Sequence, residues 1–81
     1  MKVEFSKKAE NQFNKLDIRI QEKIIIVIDK FIKGEKVDII KLRGYEDLFR
    51  VRVGVYRFTL KKISSDLWIT TFIGKRENFY D

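Results

Sequence analysis

The sequence predicts an α+β fold: an N-terminal helical hairpin packed on one face of a small antiparallel β-sheet, with a short N-terminal edge strand. Three observations predict it. Apolar residues recur at helical spacing between Ala9 and Phe31. Between Phe49 and Leu60 they alternate with polar ones, the period of a half-buried strand. Gly54-Val55 interrupts that alternation as a two-residue turn with glycine first, the form a type II′ hairpin requires. At 81 residues the whole chain, 1–81, reads as a single domain.

Each element follows from local chemistry. Lys2-Val3-Glu4-Phe5 alternates polar and apolar and suits a short edge strand. Ser6 is placed to cap the next helix, in which Ala9, Phe13 and Leu16 fall on one face. Asp17 is placed to cap a second helix, and Gly34 to end it. Ile20, Ile24, Val27, Ile28 and Phe31 make one stripe along that helix. The β-branched run from Ile24 to Ile28 alone suits a strand, but the interspersed charges and the span favour about four helical turns. Ile25, Ile26 and Ile32 widen the apolar surface beyond the stripe. Burial between the first helix and the sheet is the expected use of that excess, and docking of another chain the alternative. Leu48 to Val53, Tyr56 to Ile63 and Leu67 to Ile73 read as strands, with Ser64-Ser65-Asp66 as the second turn.

Composition excludes several kinds of chemistry. The chain has neither cysteine nor histidine, so disulfides, thiolate metal sites and Cys–His or Ser–His nucleophile pairs are ruled out. Its acidic residues lack metal-ligand spacing, and no phosphate-loop or dinucleotide glycine motif occurs. No metal and no cofactor is expected. The longest apolar run, Ile24 to Ile28, falls far short of the roughly 20 residues of a membrane span, and no targeting segment is visible. The expectation is a cytoplasmic protein with no membrane partner. The net charge of +6 suits a polyanionic partner, and equally suits solubility alone.

The hairpin about Gly54-Val55 sharpens that choice. A two-residue turn sets Val53 opposite Tyr56, Arg52 opposite Arg57, Val51 opposite Phe58, Arg50 opposite Thr59 and Phe49 opposite Leu60. Phe49, Val51, Val53, Tyr56, Phe58 and Leu60 then face the core. Arg50, Arg52, Arg57, Thr59 and Lys61 face away, with no acidic residue on that side of either strand. Opposed like charges are unfavourable in a merely solvated face, whereas clustered guanidiniums bind phosphate oxygens in forks. The bland alternative is that these arginines keep the sheet wet and its edges from aggregating. Beyond the last strand come Gly74-Lys75-Arg76-Glu77-Asn78-Phe79-Tyr80-Asp81. Arg76 is able to turn back toward the basic face, Lys75 adds charge beside it, and Tyr80 either stacks on an unpaired base or anchors the chain end. Phe79 reads as a buried anchor.

These residues resemble a known family. Lys41-Leu42-Arg43-Gly44 and the stretch Leu48-Phe49-Arg50-Val51-Arg52-Val53-Gly54-Val55-Tyr56-Arg57-Phe58 are similar to the signature of RelE/ParE-type toxins. The ending Gly74 to Tyr80 resembles that family's terminus, and Phe5-Ser6-Lys7-Lys8-Ala9 with Lys15-Leu16 resembles its opening. The resemblance implies the toxin of a type II toxin–antitoxin system, specifically a RelE-like mRNA interferase. Such a protein is a ribosome-dependent endoribonuclease that needs no metal and arrests translation. It is neutralised by a cognate antitoxin, with which it also forms a DNA-binding autoregulatory complex. Ribosome and mRNA are the other implied partners. Arg57 and Arg76 match the family arginines that stabilise the transition state, and Tyr80 the tyrosine that orients the mRNA base. Arg50 and Arg52 stand where the RelE nucleases carry lysines, one of them the suggested general base, and an arginine is a poor base. The superfamily also holds ParE-like gyrase inhibitors. That activity, or a non-catalytic binding module left by a decayed toxin, is the alternative.

Overall fold

A computed structural model describes residues 1–75. Its order is β1 (Lys2–Phe5), α1 (Lys7–Asn14), α2 (Ile18–Ile32), β2 (Ile39–Lys41), β3 (Leu48–Val53), β4 (Tyr56–Lys62), β5 (Leu67–Thr70) and β6 (Ile73–Lys75). The strands form one six-stranded sheet in the order β1-β5-β4-β3-β2, with β6 also paired to β4. All pairs are antiparallel except β1–β5, so the sheet is mixed rather than purely antiparallel. The parallel pair follows from the connection: the chain leaves β1 through both helices and three strands before it returns as β5.

Both helices start where the side chains allow. Ser6 Oγ accepts a hydrogen bond from the Ala9 N–H at 3.1 Å. Asp17 Oδ1 accepts one from the Arg19 N–H at 2.8 Å. Each cap satisfies a donor that has no partner within its own helix. After Ile32 the chain turns at Gly34, whose φ of 79° a side chain would strain. Gln21 ties the two helices together, its Nε2 donating to the Phe13 carbonyl at 2.9 Å. Ser6→Ala is expected to lower stability by ~1 kcal/mol, a fall in Tm of about 4–8 °C for a domain of this size. Calorimetry checks this, and an unchanged Tm would mean that the cap contributes nothing net.

The core lies between the helices and one face of the sheet. Ile24 and Ile28 of α2 and Ala9 of α1 are buried with Val51, Phe58, Leu60, Trp68 and Ile73. Phe31 meets the Trp68 ring edge-on at 5.0 Å, and Phe5 meets Phe13 at 5.2 Å. The expected stripe on α2 is therefore the buried one, with Ile20, Val27 and Phe31 packed at its margin. The expectation for the excess apolar surface is corrected. Ile25, Ile26 and Ile32 are exposed, and Ile25 and Ile26 line an open surface groove on α2 beside Phe13 of α1.

The strand expected from Leu67 to Ile73 is two strands. Lys61 pairs with Ile69 and Lys62 with Trp68, but Phe58 pairs with Ile73 and Arg57 with Gly74. The partner sum changes by one between the two sets, so one extra residue sits in the β5–β6 edge as a bulge around Thr71 and Phe72. The bulge shifts the alternation, and Ile73 shares the core with Trp68 although it lies five positions on, a step that would otherwise put it on the opposite face. Thr59 fills the break. Its Oγ1 accepts from the Thr71 N–H at 3.2 Å and shares a hydrogen bond with the Thr71 hydroxyl. The Ile73 N–H donates to Gln12 Oε1 of α1 at 2.7 Å, which fastens β6 to the helical layer.

Candidate nucleic-acid interface

The β3–β4 hairpin has the register that a two-residue turn imposes. Val53 is opposite Tyr56, Arg52 opposite Arg57, Val51 opposite Phe58, Arg50 opposite Thr59 and Phe49 opposite Leu60. Gly54 has a φ of 62° while Val55 stays at negative φ, the combination of a type II′ turn. Val51, Phe58 and Leu60 are buried on the helix side, and the arginines lie on the other side.

Directly opposed residues divide that second face into rows. The first row runs Arg52, Arg57 and Gly74 across β3, β4 and β6. The next holds Arg50 between Ile40 and Thr59. The third holds Lys61 between Leu48 and Ile69, with Glu4 beyond Ile69 on β1. Three arginines thus occupy adjacent positions on two neighbouring strands. Arg57 is only 8% exposed, because β4 is flanked on both sides here. Gly74 opposite it contributes no side chain to that row.

The outer side of the hairpin is free of acidic residues as expected, but a residue from outside the hairpin joins it. The short strand β2, which the alternation pattern does not reveal, brings a carboxylate alongside. Asp38 immediately precedes β2. Its carbonyl accepts from the Arg52 N–H at 2.9 Å, and its Oδ2 accepts from Arg52 Nε at 2.8 Å. Asp38 Oδ1 lies 3.9 Å from Arg50 Nη2. The arginine array is therefore partly neutralised from its β2 side.

The other candidate residues are dispersed. Lys61 is exposed on the arginine side. Lys75 is in register with Tyr56, so it belongs to the helix side of β6 and is not brought to the arginine rows. Arg76, Phe79 and Tyr80 lie outside the described residues. Among the described residues no group of acidic side chains is arranged to hold a metal ion, and no helix is long and apolar enough to cross a membrane. Asp38 and the Thr59–Thr71 pair are the features of the site that strand patterning alone missed.

Two helices on one face of a mixed sheet, with a basic hairpin on the other, define a RelE-type fold, and known proteins share it. The structure matches RelE in the RelB–RelE antitoxin–toxin complex from Methanococcus jannaschii with a TM-score of 0.76 and 25% identity, over 90% of this chain and 89% of that one. The archaeal RelE–RelB complex from Pyrococcus horikoshii matches with a TM-score of 0.73 and 22% identity, over 96% and 97%. The isolated E. coli RelE toxin matches with a TM-score of 0.77 and 18% identity, over 95% and 85%. In sequence the chain is 29% identical over 86 aligned residues to Toxin RelE3 of Methanocaldococcus jannaschii, covering 100% of this chain and 97% of that one. No protein-family profile matches it. The chain is thus similar to RelE toxins in sequence over its whole length and in fold over about nine-tenths of it.

Proposed function

We propose that the chain is the toxin of a toxin–antitoxin pair and acts as a ribosome-dependent mRNA endonuclease. The single observation that supports this best is the arrangement of Arg50, Arg52 and Arg57 on adjacent rows of one sheet face. Guanidiniums so placed grip a phosphodiester through paired N–H donors.

The reaction follows from that grip. The 2′-hydroxyl of an A-site nucleotide attacks its own 3′ phosphate, leaving a 2′,3′-cyclic phosphate and a 5′-hydroxyl. Negative charge grows on the phosphoryl oxygens, and Arg57 with Arg76 stabilises it. Arg50 and Arg52 hold the RNA backbone, Lys61 draws the strand to the same face, Lys75 adds only to the overall positive charge from the helix side, and Tyr80 orients a base. The proton of the 2′-hydroxyl passes to a ribosomal group, to water or to Tyr80 as its phenolate, since an arginine keeps its proton, and the departing 5′ oxygen takes a proton from water or from the group that accepted the first. No step calls for a metal or a cofactor. The ribosome supplies the in-line geometry, a positioning effect worth several kcal/mol of barrier. The partner that silences the chain is an antitoxin of the kind paired with RelE in the M. jannaschii and P. horikoshii complexes. The pair is also expected to bind DNA for autoregulation, and the toxin to work in the cytoplasm.

Primer extension on mRNA from cells expressing the protein tests this. New 5′ ends are expected inside translated reading frames, and none in the same transcript with its start codon destroyed. DNA damage with intact mRNA would instead indicate a ParE-like gyrase inhibitor, and harmless expression a non-catalytic module.

A further inference from the structure

Asp38 stands beside two arginines of the outer sheet face. It grips Arg52 twice, through its carbonyl to the backbone N–H at 2.9 Å and through Oδ2 to Nε at 2.8 Å. Its contact with Arg50 is looser, at 3.9 Å, beyond hydrogen-bond range, and Arg50 Nε is buried without a hydrogen-bond partner among the described residues. The carboxylate therefore serves Arg52 above all. Both side chains of that pair are about half exposed, at 48% and 45%. An ion pair this exposed adds only ~0–1 kcal/mol to folding. Its effect on a phosphate arriving over the same rows is direct: the carboxylate repels the phosphate and occupies a donor that the phosphate needs. An arginine carries five N–H donors, so the terminal nitrogens of Arg52 stay outside the Nε contact.

We propose that Asp38 is a specificity-determining residue that restrains the grip of the arginine face on polyanions. With the restraint in place, bulk single-stranded RNA is held weakly. A linkage delivered in fixed geometry still meets the outer nitrogens of Arg52. The proposal rests on the reading of this face as an RNA-phosphate site, and the experiment separates the two.

Asp38→Asn keeps the backbone carbonyl and removes the charge. Asp66→Asn, in the exposed turn before β5, makes the same change in net charge elsewhere and is the control. Affinity for a short 2′-O-methyl oligouridylate is measured by fluorescence anisotropy across a salt series. Asp38→Asn is expected to bind about threefold tighter than Asp66→Asn, the scale of one exposed ion pair. Its log–log salt slope is expected to steepen by ~0.7, the increment for one more phosphate contact on a single strand. In an Arg52→Gln background Asp38→Asn is expected to add no affinity, a dependence that a general structural role would not produce. Where the RNA is measurably bound, equal or weaker binding by Asp38→Asn than by Asp66→Asn overturns the proposal. Elution from heparin separates the two ideas. If no form binds the RNA but Asp38→Asn leaves heparin later than Asp66→Asn, the restraint stands and the RNA reading falls. If the two elute together, the restraint falls as well.

Discussion

Arg57→Ala is expected to slow cleavage of mRNA on a programmed ribosome by ~100-fold or more, about 2.7 kcal/mol of barrier. The argument starts from position. Arg57 lies on β4 with Arg52 opposite it on one side and Gly74 on the other, in the row where the arginines meet. It is the most buried of the three on that face, and electrostatic stabilisation is worth more where water is excluded. Truncating a buried arginine also disturbs packing, so loss of activity alone would not identify its role. Arg57→Lys separates the two effects. It keeps the charge but loses the fork, and is expected to recover part of the rate while remaining far below the unmodified protein. Single-turnover rates on ribosomes stalled at a defined codon, read beside the Tm of each variant, check both. Normal cutting by Arg57→Ala would remove Arg57 from the chemistry. Equal rates for the Ala and Lys variants, each folded, would reduce its part to packing.

Much of this architecture is legible in the residues, for physical reasons. Ser6 and Asp17 announce their helices because few side chains satisfy the free N–H groups at a helix start. The arginine face is legible because a two-residue turn fixes the register of its hairpin, and register fixes which side chains share a face. Two features escape local pattern. The bulge at Thr71 and Phe72 appears in the sequence only as a slip in phase: Trp68 and Thr70 are in step, while Ile73 is a residue out. A continuous apolar and threonine run conceals that slip. Asp38 escapes for a different reason. It belongs to this face only because Ile39 pairs with Val51, a partnership across a loop whose length no turn motif dictates. The exposed Ile25, Ile26 and Ile32 mark a third limit. A helix that is apolar on more than one side does not say which side its own domain will cover.

The same layering makes Phe58 the residue whose loss damages the fold most. Phe58 is 1% exposed and stands between Val51 of β3 and Ile73 of β6, so it joins the hairpin to the strand beyond the bulge. Ile24 and Ile28 of α2 belong to the same buried cluster. Phe58→Ala is expected to cost ~3–5 kcal/mol through lost transfer energy and the cavity left behind. A domain of this size has only about 4–12 kcal/mol of stability in total, so a large fraction of the variant unfolds near 37 °C. Ile25→Ala provides the contrast. Ile25 is half exposed on α2, and its truncation is expected to stay within about 0.5 kcal/mol. Urea titration of both variants, with Phe58→Leu as the form that stays folded enough to measure, checks the ordering. If Phe58→Ala shifts the midpoint no more than Ile25→Ala, the buried face of the hairpin is not the side that holds the helices to the sheet. The outward orientation of the arginines would then lose its support, because one register sets both faces.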